Sequence, residues 1–252
     1  MLSTQYRLRL EGICKAIAAS QEVNLEDMIW AEKLSKANTS ARGMLSQARR
    51  LATDPDSTFL GSGLMAENLT NDVAVMLIAN TIATGAGLFV LITVFADVSG
   101  AHFNPFVSIA MALTGKLKRK LLPYYIIAQL VGCLIGVGLA NFFFEHEIYE
   151  LSTKSRDGIY IFTSEVIATL GLITIIFGSM KSGKITVAAS VGLYITAGYW
   201  FTSSTSFANP AVAIARTFTE SFTGISYLNT PYYILAELVG MLIAVFIVKK
   251  LF

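Results

Sequence analysis

Two Asn-Pro pairs, Asn104-Pro105 and Asn209-Pro210, stand 105 positions apart, each followed by a short apolar run. Asn is among the best N-caps, and Pro fits the first helical position, where a missing N–H costs nothing. Each pair therefore predicts the start of a short helix, the first ending near Gly115 and the second near Thr219. Neither is long enough to cross a bilayer, yet both lie between stretches that are. Apolar runs cover residues 73–95, 121–144, 159–178, 185–203 and 231–248, each close to the roughly 20 residues that a membrane-crossing helix needs. Only 14% of the chain is charged and 54% is hydrophobic, whereas about a quarter of a soluble domain is charged. The expected fold class is an all-α, multi-pass membrane protein with two re-entrant half-helices.

The spans contain a repeat. Pro123-Tyr124-Tyr125-Ile126-Ile127-Ala128-Gln129-Leu130-Val131-Gly132 recurs as Pro231-Tyr232-Tyr233-Ile234-Leu235-Ala236-Glu237-Leu238-Val239-Gly240, with eight of ten positions matching at a spacing of 108. Loop charges set its sense. Lys116, Lys118, Arg119 and Lys120, then Lys181 and Lys184, then Lys249 and Lys250 mark alternate connections as cytoplasmic, while residues 145–158 carry Glu145, Glu147, Glu150 and Asp157. The C-terminus is thus expected inside a cell (inner or plasma) membrane, and the repeat is an inverted one. That architecture places a substrate path at mid-membrane between the halves.

Residues 1–58 read differently, with eight Lys/Arg, seven Asp/Glu and no long apolar run. Asn24 is an expected N-cap with Asp27 in a capping-box position, and loose helical spacing runs from Leu25 to Arg50. These residues are expected to form a soluble helical extension that ends at Asp54-Pro55-Asp56, with a linker over 61–72 leading to the channel-like part, 59–252. Cys14 and Cys133 imply no disulfide framework. No signal-peptide pattern stands at the N-terminus, so insertion is expected to rely on the spans.

A half-helix ending at bilayer depth leaves N–H groups that only a wet cavity or protein can satisfy. Two such tips facing each other, each carrying about half a positive charge, would repel cations while the Asn104 and Asn209 amides donate to neutral solutes. Ser99-Gly100-Ala101-His102-Phe103-Asn104-Pro105 and Ala208-Asn209-Pro210-Ala211 resemble the paired Asn-Pro-Ala boxes of the major intrinsic proteins, the aquaporins and glycerol facilitators. The resemblance covers roughly residues 60–252. It implies a passive channel for small neutral solutes, a homotetramer in the lipid bilayer with one pore per subunit, and no cofactor. It also implies a Glu in the first span of each half that braces the adjacent loop, and Glu165 matches the second-half copy.

Three departures from the family pattern stand out. Phe106 replaces the Ala of the first box, which is expected to repack or narrow the midplane; the second box, Asn209-Pro210-Ala211, is intact. Val212 stands where the family's selectivity filter has Arg, and gapless spacing puts the other filter positions at Thr84, Ala197 and Ser206. This filter is expected to be wide and uncharged, suiting glycerol or neutral metalloid hydroxides. The first span is missing: residues 61–67 resemble its tail, but its apolar body is replaced by residues 41–58, and no counterpart of Glu165 stands there.

Other residues get structural readings. Arg216, one turn after Val212, is expected to pair with a loop carbonyl or carboxylate rather than to replace the filter Arg. His102 is expected to be a hydrogen-bonded loop residue rather than a pH gate. The Tyr124-Tyr125 and Tyr232-Tyr233 pairs suit an interfacial belt, and Gly132, Gly136 and Gly138 suit close helix packing. No catalytic constellation, metal-ligand spacing or nucleic-acid signature is present. Two other classes remain open: a non-conducting scaffold that works through its N-terminal helices, and a coupled transporter using Glu165 or Glu237.

Overall fold

The computed structural model describes residues 3–18, 21, 23–53 and 72–252. The expected end of the extension at 54–56, the boundary at 58, the first-span remnant at 61–67 and the linker up to Asn71 lie outside them. Two compact units result, one built on α1 to α3 and the other on α4 to α10.

In the first unit, α1 (Thr4–Ala18), α2 (Leu25–Ala37) and α3 (Thr39–Thr53) pack around Leu10, Ile13, Ala31, Ala41 and Leu45. Asn24 caps α2, its Oδ1 accepting from Asp27 N at 2.8 Å. The Asp27 carboxylate in turn takes Arg9 Nη2 at 2.6 Å, and the same guanidinium lies 4.5 Å over the Trp30 ring. The continuous spacing from Leu25 to Arg50 is broken at Asn38. Its extended backbone closes α2, and its Oδ1 accepts from Ala41 N at 3.0 Å to start α3.

The second unit contains α4 (Val73–Ser99), α5 (Pro105–Leu113), α6 (Leu122–Phe143), α7 (Ile159–Ser179), α8 (Lys184–Phe201), α9 (Pro210–Ala215) and α10 (Thr230–Leu251), with no strand among the described residues. By length and composition α4, α6 and α7 can cross a membrane; α8 and α10 occupy the remaining two expected stretches and pack on α7. The short helices interlock the halves, with α9 against α6 and α10 against α5. A core of Val107, Ala110, Ala168, Ile173, Ala188, Ala208 and Met241 fills the space between them.

Two expectations change here. Tyr233 is completely buried, its ring 4.8 Å from that of Phe207, so it is a core residue while Tyr124 stays exposed. Gly138 does receive a neighbour, since an added Cβ would meet Tyr149 Oη at 3.0 Å, whereas one on Gly132 or Gly136 would meet nothing within 4 Å.

Candidate conducting pathway

Both Asn-Pro pairs start helices as the capping chemistry requires. Asn104 Oδ1 accepts from Phe106 N at 2.9 Å, and Asn209 Oδ1 accepts from Ala211 N at 3.1 Å. Gly115, at φ +78°, ends α5 while Lys116 N donates back to Met111 O at 2.8 Å. The tips abut: Asn104 Nδ2 donates to Ala208 O at 2.6 Å, and Asn209 Nδ2 donates to Phe103 O at 2.9 Å. Each half thus completes the loop of the other.

The loops before the two helices share one backbone. Gly100, Ala101 and Phe103 have positive φ, as do Thr205, Ser206 and Ala208 at the matching positions. Ala101 N donates to Ser99 Oγ and Ser206 N to Ser204 Oγ, both at 3.2 Å. Left-handed backbone costs a non-glycine residue roughly 1–2 kcal/mol, so something must hold it. In the second half that is carboxylate. Glu165, fully buried on α7, accepts from Phe207 N at 2.9 Å and Ala208 N at 2.8 Å, and Glu237 on α10 accepts from Asn209 N at 2.9 Å. The sequence reading missed Glu237's part, although its contrast with Gln129 in the repeat was there to be seen. Neither acid lines the cavity described next.

A cavity of about 450 Å³ runs past both tips, with Asn104 and Asn209 on its wall. Toward one end it is lined by Ala96, Met111, Lys116, Ile176, Met180 and Lys184, with Lys184 paired to Asp97. Toward the other it is lined by Thr84, Ile195, Tyr199, Ser206, Val212 and Arg216. Of the four expected filter positions, Thr84, Ser206 and Val212 reach this wall and Ala197 does not. The cavity-facing residues of α8 are Val187, Val191, Ile195 and Tyr199, four apart and on one stripe, and Ala197 points to the exposed side. Gapless counting has no access to helix rotation.

Tyr199 organises that end. Its hydroxyl lies 3.2 Å from Thr84 Oγ1 and accepts from Arg216 Nη2 at 3.1 Å. The Arg216 guanidinium lies 4.3 Å over the Phe207 ring, an attraction of about 0.5–2 kcal/mol. So Arg216 partners a phenol and an aromatic face, not the expected loop carbonyl or carboxylate, and it is part of the wall. Phe106 is buried in the core and does not line the cavity; Val107 and Met111 form the wall on that helix. Phe106 therefore repacks the midplane without narrowing it. His102 Nδ1 lies 3.0 Å from Ser108 Oγ, and its ring centroid lies 5.2 Å from that of Tyr125 at a tilt of 39°. Among the described residues no group of three His, Cys, Asp or Glu side chains is placed to hold a metal ion.

This arrangement, two capped half-helices meeting tip to tip beside a continuous cavity in a bundle of apolar helices, is that of a membrane channel, not an enzyme. The sequence profile of the major intrinsic proteins matches residues 57–206, and the chain belongs to that family. It is 47% identical to aquaglyceroporin AqpS of Rhizobium meliloti (strain 1021) over 192 residues, 76% of this chain and 82% of the relative. It is 30% identical to a probable TIP-type aquaporin of Medicago truncatula over 205 residues, covering 76% of this chain and 80% of that one. Aquaporin NIP1-2 of Arabidopsis thaliana is 31% identical over 129 residues, 48% of this chain and 44% of the relative. Residues 1–70 match a separate profile described as a domain of unknown function. The chain is thus a multi-pass membrane channel for water or small solutes.

Proposed function

We propose that the chain is a passive channel for small uncharged solutes, wide enough for glycerol-like polyols and neutral metalloid hydroxides as well as water, and closed to ions and protons. The observation that carries this reading is the pair of Asn104 and Asn209 amides on the wall of one cavity, at abutting helix tips. Each amide uses one N–H on the opposite loop and keeps a second that can donate to a solute oxygen. The opposed helix ends repel cations and interrupt a proton relay along a water file. In this reading Asn104-Pro105-Phe106 and Asn209-Pro210-Ala211 are the constriction, and Thr84, Ser206 and Val212, with Tyr199 in place of Ala197, are the filter. Glu165 and His102 hold the loops. Tyr199 and Phe207 hold Arg216 on the same wall, one helical turn after Val212, so Arg216 carries the charge at this end. The aquaglyceroporin relative agrees in class with a filter wider than one for water alone. Loop charges favour a cytoplasmic C-terminus in a cell membrane, and family membership favours a homotetramer.

The test is Val212→Arg in proteoliposomes. Permeation of glycerol-sized solutes is expected to fall several-fold more than that of water; equal loss of both would refute the filter assignment. A second reading, a non-conducting scaffold working through α1 to α3, draws on the separate core of those helices. Solute flux at background from the unmodified chain would establish it in place of the first.

A further inference from the structure

The two halves of the channel unit repeat, and among the described residues the first lacks a helix neighbour that the second has. On α10 one face carries Ala236, Gly240 and Ala244, all buried, and α10 and α7 form the most extensive helix pair of the unit. A Cβ on Gly240 would come within 2.4 Å of the Val166 carbonyl oxygen and 3.0 Å of the Thr169 Cβ, so glycine is what permits this approach. The matching face of α6 carries Ala128, Gly132 and Gly136. All three are exposed, with open space above both glycines. α6 keeps the surface of a packed helix with nothing on it among the described residues.

The adjoining loop says what the neighbour must bring. The N–H groups of Phe207 and Ala208 donate to Glu165 of α7. The corresponding N–H groups of His102 and Phe103, on the same left-handed backbone, meet no acceptor among the described residues. At membrane depth a backbone N–H needs water or a protein acceptor, and in the second half the acceptor is the Glu165 side chain on α7. By the pattern of α7 on α10, this face of α6 fits an apolar helix of about 20 residues with one carboxylate at mid-depth and a small residue against Gly132.

Nothing within the described helices meets that need. The carboxylates within α4 to α10 are Asp97, Glu165 and Glu237, and each already has a partner, so a second copy brings no free acid. Residues 54–71 hold Asp54, Asp56 and Glu67 but no apolar run of spanning length. We propose that the Ala128–Gly132–Gly136 face of α6 docks a transmembrane helix of another polypeptide, whose mid-depth Glu or Asp accepts from His102 N and Phe103 N and completes the first half in trans. The proposal is independent of which solute passes.

The internal repeat supplies the probe: a separate helix with the sequence of residues 159–180, carrying Leu170→Cys, offered to the membrane-inserted chain. In the chain, Cys14→Ser leaves Cys133, next to Gly132, as the one thiol. A short thiol cross-linker is expected to join the probe to Cys133. Glu165→Gln in the probe, which leaves the chain untouched, is expected to lower the yield about tenfold, the worth of one charge-assisted hydrogen bond over a neutral one. Gly132→Leu in the chain, whose side chain has room, should abolish the product with no change in the chain's melting temperature. The proposal is overturned by an equal yield from a scrambled helix, by indifference to both substitutions, or by Cys133 joining a cysteine placed at Leu64 or a second copy in preference to the probe.

Discussion

The two halves share a backbone and differ in what holds it. The loops before α5 and α9 turn through the same left-handed positions and cap their helices with the same Asn-Pro chemistry. One is tied by two buried carboxylates, Glu165 and Glu237, to the helices on either side. The other has His102 on Ser108, and Gln129 Nε2 donating to Ser108 Oγ at 2.9 Å. Local sequence is therefore enough to specify the turn, whereas anchorage comes from spans far along the chain. The second half holds its own loop, and the two halves hold each other through Asn104 on Ala208 and Asn209 on Phe103.

The largest contrast is expected from Gly240→Leu against Gly132→Leu. The first drives a side chain into the α7 backbone and should prevent folding, while the second should leave stability within about 0.5 kcal/mol, as read by thermal unfolding in detergent. Similar losses from both would mean that α6 is covered as α10 is. Next comes Glu165→Ala, which leaves the N–H groups of Phe207 and Ala208 without their acceptor and should cost about 2–6 kcal/mol, against about 1 kcal/mol for Gln129→Ala, which breaks one neutral bond. Asn104→Ala and Asn209→Ala should each cost about 1 kcal/mol for the lost cap, and alike, because the tips are reciprocal; a marked inequality would show that one half dominates the constriction. The smallest effect is expected from Tyr199→Phe. It frees Arg216 and Thr84 from their shared hydroxyl and should change the ratio of glycerol to water flux in proteoliposomes with little change in melting temperature.

Much of this is legible in the amino-acid sequence. Asn-Pro capping located α5 and α9, apolar length located the other five helices described in the channel unit, and Asn24 was readable as a cap because its chemistry is local. Three kinds of feature were not. The break at Asn38 depends on one amide capping the next helix in preference to continuing the last, a choice between two local options that periodicity does not decide. The pairing of Arg216 with Tyr199 and Phe207 joins residues on two helices and a loop, and no spacing rule reports such a meeting. The position assigned to Ala197 failed because counting residues along α8 says nothing about which way the helix is turned. Glu237 is a different case: its polarity in an apolar span was visible, and only its partner was hidden.

The crossed amides also have a bearing on biosynthesis. Since Asn104 closes on a carbonyl of residue 208 and Asn209 on one of residue 103, no constriction can exist until translation has passed the second box. The first half must wait in the bilayer unfinished, its loop open to whatever acceptor is near, and assembly of the narrowest point is one of the last events as the protein is made.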